Sequence, residues 1–248
     1  MEKNLKAMRK FGLIGKNISY SFSKNYFAQK FKSLKLYNHQ YDNFDIQNID
    51  EFSKIVVDDL IGLNVTIPYK EQVLDFLDEI DDDAAEIGAV NTIKITHNKL
   101  KGFNTDIYGF EESLKPFLQK YHTKALVLGT GGASKAVIFV LKKLAIDYLI
   151  VSRNPFNNQI SYQNITEKIL KSHTIIVNCT PIGTFPKVDL CPDIPYQYIT
   201  NNHLLFDLIY NPSKTKFLSK GEEKGAIISN GLKMLELQAE KSWKIWNQ

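Results

Sequence analysis

Val127-Leu-Gly-Thr-Gly-Gly-Ala-Ser-Lys-Ala136 is the stretch on which the fold is decided. The apolar run 124–128 leads into it as a short strand, and apolar residues at helical spacing follow over 136–144. Between them, Gly129, Gly131 and Gly132 allow a tight turn and let backbone N–H groups approach a pyrophosphate at the helix N-terminus. A second apolar run at 148–152 closes a βαβ unit, whose short crossover implies parallel strands. The third small position of the dinucleotide fingerprint is filled by Ser134, and no Gly-Lys-Ser/Thr follows, so the turn is not a P-loop.

The end of the second strand refines this reading. A unit binding NAD usually carries an acid there for the ribose 2′-hydroxyl, whereas this chain has Ser152-Arg153-Asn154. An arginine suits the 2′-phosphate of NADP, which it grips with several donors, or the adenine, on which it stacks. The chain holds 29 lysines and only two arginines, Arg9 and Arg153, so an ordinary surface cation here would be expected to be lysine. Lys135 either adds charge beside the phosphates or is simply solvated.

Outward from this unit, strand-like runs and helical periods alternate along the whole chain, which predicts an α/β protein. The second half continues with a helix at 165–172 and buried strands at 174–179, 204–208 and 226–229. The first half reads as strands at 10–14, 38–44 and 60–67, with helices at 23–34 and 49–57. A helix opening at Pro68 would turn Val73, Phe76 and Leu77 inward, and 89–96 with 99–103 reads as a hairpin turning at His97-Asn98. The last stretch, 231–246, carries a helical stripe of Leu232, Leu235, Ala239, Trp243 and Trp246.

Composition narrows the function classes. With 44% hydrophobic and 23% charged residues in 248, the chain is not a disordered one. A net charge of +4 and the scarcity of arginine argue against a nucleic-acid partner. No run approaches the ~20 apolar residues that cross a bilayer, and the N-terminus offers no signal-peptide core. Cys179 and Cys191 are too few for a disulfide scaffold, so a cytoplasmic setting is expected. The five histidines lack metal-ligand spacing, so no metal is expected.

Polar residues of the first half suggest a second site. In Asn64-Val-Thr-Ile-Pro-Tyr-Lys70, strand alternation puts Asn64 and Thr66 on one face, with Lys70 near the same strand end. Lysine beside a pocket can move a proton, although taken alone one lysine among 29 is better read as a solvated cation. Gly102-Phe-Asn-Thr-Asp106 ends the hairpin, and Thr105 or Asp106 would also serve as a helix N-cap. Asp81-Asp82-Asp83 reads as a charged helix start, and Cys179 as a packing residue.

Eight separated motifs occur in one order: Ser21-Phe-Ser23, Asn64 to Lys70, Gly88-Ala-Val-Asn-Thr92, Gly102 to Asp106, Gly129 to Ser134, Asn178-Cys-Thr-Pro-Ile-Gly183, Asp207-Leu-Ile-Tyr210 and Asn230 to Ala239. In these the sequence resembles the shikimate dehydrogenase family over nearly its whole length. The resemblance implies an N-terminal α/β substrate domain (1–104 with 231–248) and a Rossmann-type NADP domain (105–230), the last helix returning to the first domain. It implies reversible reduction of 3-dehydroshikimate to shikimate with NADPH, in a monomer or homodimer. Lys70 and Asp106 would be the catalytic pair. Ser21 and Ser23 would bind the substrate carboxylate, with Asn64, Thr66, Asn91, Asp106, Tyr210 and Gln238 around the rest of the ring. The matching cofactor positions are Gly129, Thr130, Gly131, Gly132, Ala133, Ser152, Arg153, Asn154, Asn157, Leu208, Gly231 and Asp82.

The chain departs from the family pattern at three places. Tyr20 replaces a common histidine and Lys24 a common proline, both flanking the serines. The cofactor loop reads Ser-Arg-Asn rather than Asn-Arg-Thr, with Asn157 where a second basic residue is common. Two other readings stand beside the main one: a quinate/shikimate dehydrogenase using NAD, and a non-catalytic shikimate-binding module. The missing acid at Ser152 argues against the first, and the intact Lys70 and Asp106 against the second.

Overall fold

The computed structural model describes residues 7–18, 21–56 and 59–248; Tyr20, and Val57 at the end of the expected helix at 49–57, lie outside them. The chain divides into two compact units. One holds the described residues up to Thr105 together with Ala239–Gln248, and the other is Asp106–Gln238.

The first unit runs β1 (Arg9–Gly15), α1 (Phe22–Ser33), β2 (His39–Asp45), α2 (Phe52–Ile55), β3 (Leu60–Val65), β4 (Glu79–Ile80), α3 (Asp82–Ile87), β5 (Thr92–Thr96) and β6 (Lys99–Phe103). Its six-stranded sheet has the order β2-β1-β3-β5-β6-β4. β1 runs parallel to β2 and β3, and β5 antiparallel to β3 and β6. Ser21 starts α1 as an extended N-cap whose Oγ accepts the Ser23 N–H at 3.1 Å. Phe27 and Phe31 on its inner face pack with Phe11, Tyr41 and the C-terminal Trp243 and Trp246. Trp246 lies directly over Gly62, where an added Cβ would fall 2.1 Å from the indole nitrogen, and its Nε1–H donates to the Ile93 carbonyl at 2.9 Å.

Three expectations for this unit are corrected. Pro68 does not open an α-helix: residues 67–71 form turns, and a short 3₁₀ turn, Gln72–Phe76, follows. The Lys70 carbonyl, which an α-helix would offer to Leu74, instead accepts the Val90 N–H at 2.8 Å. Leu74 then bonds one residue nearer, to the Glu71 carbonyl at 3.3 Å, which is 3₁₀ geometry. Lys70 therefore sits in a turn, although Val73 is buried as expected. The stretch 49–57 splits into a 3₁₀ turn at Ile49–Glu51, closed by an Asn48–Glu51 capping box, and the four-residue α2. The hairpin turns at His97 and Asn98, both at positive φ, but its first strand begins at Thr92 rather than 89.

The second unit runs α4 (Asp106–Leu114), β7 (Lys124–Leu128), α5 (Gly132–Lys143), β8 (Asp147–Val151), α6 (Glu167–Ser172), β9 (Ile175–Asn178), β10 (Leu204–Asp207), α7 (Lys216–Glu222), β11 (Ile227–Ser229) and the start of α8 (Leu232–Trp246). Its five strands are all parallel, in the order β11-β10-β9-β7-β8. Beyond β8, Ile160 makes a single parallel bridge to Val151. Counted as a one-residue strand, Ile160 completes the Rossmann order 3-2-1-4-5-6 about β7. Strands β7, β9 and β10 are apolar runs because both faces are covered. α5 begins at Gly132, four residues before the expected 136, because its first turn, Gly-Ala-Ser-Lys, carries no apolar period.

α8 is shared: its residues to Gln238 group with the second unit and those from Ala239 with the first. The sequence expectation gave all of 231–248 to the first. The cause lies at Gly109 of α4, where a Cβ would meet the Met234 carbonyl at 2.6 Å and Gln238 Cβ at 3.1 Å, so the start of α8 lies close against α4.

Candidate active site

In the second unit the glycine turn is shaped as a ligand cradle. Gly129 has φ +104°, a conformation side chains rarely adopt, and a Cβ there would lie 2.9 Å from Thr180 Cγ2. Its N–H donates to the Val151 carbonyl at 2.8 Å, which ties the turn to the end of β8. A Cβ on Gly131 or Gly132 would meet nothing within 4 Å, so open space lies over the start of α5. No side chain caps that terminus. Backbone donors at the positive end of a helix, facing open space, fit the diphosphate of a dinucleotide. Thr130 and Ala133 lie on the same turn, and Ser134 is turned inward, its Oγ donating to the Gly131 carbonyl at 2.7 Å.

The loop after β8 carries Ser152, Arg153, Asn154 and Asn157. Ser152 N–H donates to the Ile160 carbonyl at 2.9 Å, and its Oγ accepts the Asn154 N–H at 3.3 Å. Arg153 is exposed, close enough to Tyr162 that its charge opposes the upward push of burial on that phenol. At the end of β10, Asp207 is fully buried, accepting from Thr215 Oγ1 at 2.6 Å, Asn178 Nδ2 at 3.0 Å and Ile209 N at 3.1 Å. Burial still dominates these bonds and pushes its carboxyl up to about 6. The segment beyond carries Leu208 and the exposed Tyr210. Gly231 closes over it, with room for no side chain: a Cβ would lie 2.1 Å from the Leu208 carbonyl oxygen.

In the first unit a buried polar network joins two of the expected substrate residues, Asn64 and Asn91. The Tyr41 phenol donates to Asn64 Oδ1 at 2.8 Å. Asn64 Nδ2 donates to the Asn91 carbonyl, Thr92 Oγ1 and Ser242 Oγ at 3.0–3.2 Å. Asn91 Oδ1 in turn accepts the Thr105 N–H at 2.7 Å, which fixes the backbone immediately before Asp106. Thr66 follows β3, its N–H bonded to the Ile14 carbonyl at 2.9 Å, and half-buried Lys70 lies in the turn beyond. Asp82 is exposed at the start of α3. Lys24 is exposed and pairs with Asp42 at 3.7 Å. In the second unit, Asp106 opens α4 and is largely buried, and Gln238 Nε2 donates to the Leu235 carbonyl at 3.0 Å.

Residues 13–93 match the family model for the shikimate dehydrogenase substrate binding domain. Over 246 residues the chain is 40% identical to the shikimate dehydrogenase (NADP(+)) of Clostridium botulinum strain Hall, covering 95% of each protein. The chain belongs to the shikimate dehydrogenase family. The structure of the Aquifex aeolicus shikimate dehydrogenase superimposes with a TM-score of 0.86 at 35% identity, over 97% of this chain and 92% of that one. The Thermus thermophilus shikimate dehydrogenase, solved in complex with NADP(H) and shikimate, gives 0.86 at 30% identity over 96% and 93%.

Within this family member, sequence reasoning did not single out Tyr41, Thr92 and Ser242 as partners of Asn64, or Asn178 and Thr215 as partners of Asp207. Ser242 leaves a trace, a polar residue one turn from Ala239 and Trp246 on an otherwise apolar stripe. Asn178 and Asp207 leave another, since each ends an apolar strand. Among the described residues no group of three or more His, Cys, Asp or Glu could hold a metal ion, and no helix is long and apolar enough to cross a membrane.

Proposed function

We propose that this chain catalyses the reversible reduction of 3-dehydroshikimate to shikimate with NADPH, a cytoplasmic step toward aromatic amino acids. The observation that carries this reading is 40% identity over 95% of both chains to an NADP-dependent shikimate dehydrogenase. The motif residues Lys70 and Asp106 are both intact. The chemistry supplied by bound NADPH is hydride donation to the carbonyl carbon. The Lys70 ammonium stabilises the developing oxyanion and protonates it, leaving the hydroxyl of shikimate. Asp106, adjacent to the fixed Thr105, orients that ammonium.

Ser21 and Ser23 hold the substrate carboxylate, Thr66, Asn91, Asp106 and Gln238 its hydroxyls, and Tyr210 lines the pocket. Asn64 supports this set through its bonds to the Asn91 carbonyl and Thr92. Gly129 to Ala133 hold the diphosphate, Arg153 the 2′-phosphate with Ser152, Asn154 and Asn157 beside it, and Leu208, Gly231 and Asp82 are further cofactor contacts. The test is reduction of 3-dehydroshikimate by NADPH with the product identified by chromatography. Stoichiometric formation of shikimate is expected; oxidation of NADPH without it rejects the assignment.

A further inference from the structure

The loop 152–159 stands where a fuller Rossmann domain would build up to its third strand, here reduced to Ile160. Both ends of the loop are pinned to β8: Ser152 N–H donates to the Ile160 carbonyl and Ile160 N–H to the Ile150 carbonyl, each at 2.9 Å. Inside it, the Phe156 carbonyl accepts the Gln159 N–H at 3.3 Å, and Gln159 Oε1 accepts the Phe156 N–H at 3.4 Å. Phe156 is thus held at the backbone while its side chain faces water, the residue 72% exposed. A phenyl ring left in solvent on a hydrogen-bonded loop contributes nothing to the core that would explain it.

Its place in the fold identifies what would cover it. Ligands of open parallel sheets bind beyond the carboxyl ends of the strands, and this loop leaves the carboxyl end of β8. Its second residue is Arg153, three residues before Phe156, the cation read as gripping the 2′-phosphate of the adenosine ribose. The base on that same ribose is a flat aromatic ring, and adenine stacks on phenyl faces without needing hydrogen bonds.

We propose that Phe156 is the platform on which the adenine of NADP stacks, beside the phosphate grip of Arg153. The proposal rests on the NADP reading given above. It also accounts for Asn157: with an aromatic platform next to it, the loop draws affinity from the base where relatives with a second basic residue draw it from charge. Because NADP and NAD share adenine, Phe156 strengthens both, and Arg153 alone discriminates between them.

The test is calorimetric titration of the full chain with adenosine 2′,5′-bisphosphate, the adenine half of NADP, together with KM for NADP and for NAD. Phe156→Ala is expected to weaken the bisphosphate about tenfold and to raise both KM values by a similar factor, with Phe156→Trp restoring them. Equal bisphosphate affinity in wild type and Phe156→Ala overturns the proposal while leaving the cofactor reading intact. Failure of the wild type itself to bind the bisphosphate overturns both. Loss of self-association in Phe156→Ala, seen by sedimentation with no change in nucleotide affinity, overturns it in favour of a contact between copies of this chain.

Discussion

Lys70 is placed by its backbone: its carbonyl accepts the Val90 N–H at 2.8 Å, so its Cα is fixed independently of its side chain. Removing the side chain should therefore delete proton transfer without moving the turn. Lys70→Ala is expected to lower kcat about 10²–10⁴-fold with a much smaller change in KM for shikimate, read by steady-state kinetics. An unchanged kcat would contradict the role. Arg153 is an exposed cation, proposed above to hold the 2′-phosphate of NADP. Arg153→Ala should weaken NADP by about 10–100-fold, the worth of charge-assisted bonds, and leave NAD nearly unchanged; equal losses for the two would reject the 2′-phosphate assignment. In the sequence Arg153 stands out because arginine is rare in this chain. Lys70, one lysine among 29, stands out only through the motif around it.

The element that most constrains the first unit is β3, whose Asn64 links β2, β5 and α8 through Tyr41, Thr92 and Ser242. Asn64→Ala leaves buried hydroxyls without their partner and should cost about 2–4 kcal/mol in urea unfolding. A loss below about 0.5 kcal/mol, the size of an ordinary surface change, would show the network to be dispensable. Elements set by local pattern could be read directly: β7, β8 and β10 are continuous apolar runs, and α1 carries Phe27 and Phe31 one turn apart. Elements set by distant partners could not. The 3₁₀ turn at Gln72–Phe76 depends on Val90 taking the Lys70 carbonyl, and Ile160 counts as a strand only because β8 lies beside it. The first turn of α5, Gly-Ala-Ser-Lys, has no apolar periodicity to detect. The network around Asn64 was hidden for a similar reason, since hydroxyls far apart in sequence meet only when the sheet and α8 are assembled.

At the scale of the whole molecule, buried titratable groups pull stability in opposite directions with pH. Asp207, pushed up to about 6 by burial, favours the protonated folded state. Its contribution is fully present below about pH 4, the unfolded value, and is lost as pH rises through about 6, a change of at most about 3 kcal/mol. His122 and His203 are buried and held below the usual histidine value of 6.5, so their contribution is present above that pH and is lost as pH falls. In Asp207→Asn the histidine dependence should remain while the Asp207 dependence disappears. The stability difference between wild type and variant, from urea unfolding, should therefore shrink by up to about 3 kcal/mol from pH 4 to 7, and a constant difference would contradict it. The fold as a whole presents a nucleotide cradle in one unit and a buried polar network with a lysine turn in the other, which is the equipment of a carbonyl reductase. The most direct test of that account is kcat/KM of the wild-type protein for shikimate and for quinate, each with NADP and with NAD. The highest value is predicted for shikimate with NADP; no reduction of NADP by shikimate, or a higher value for quinate with NAD, would contradict it.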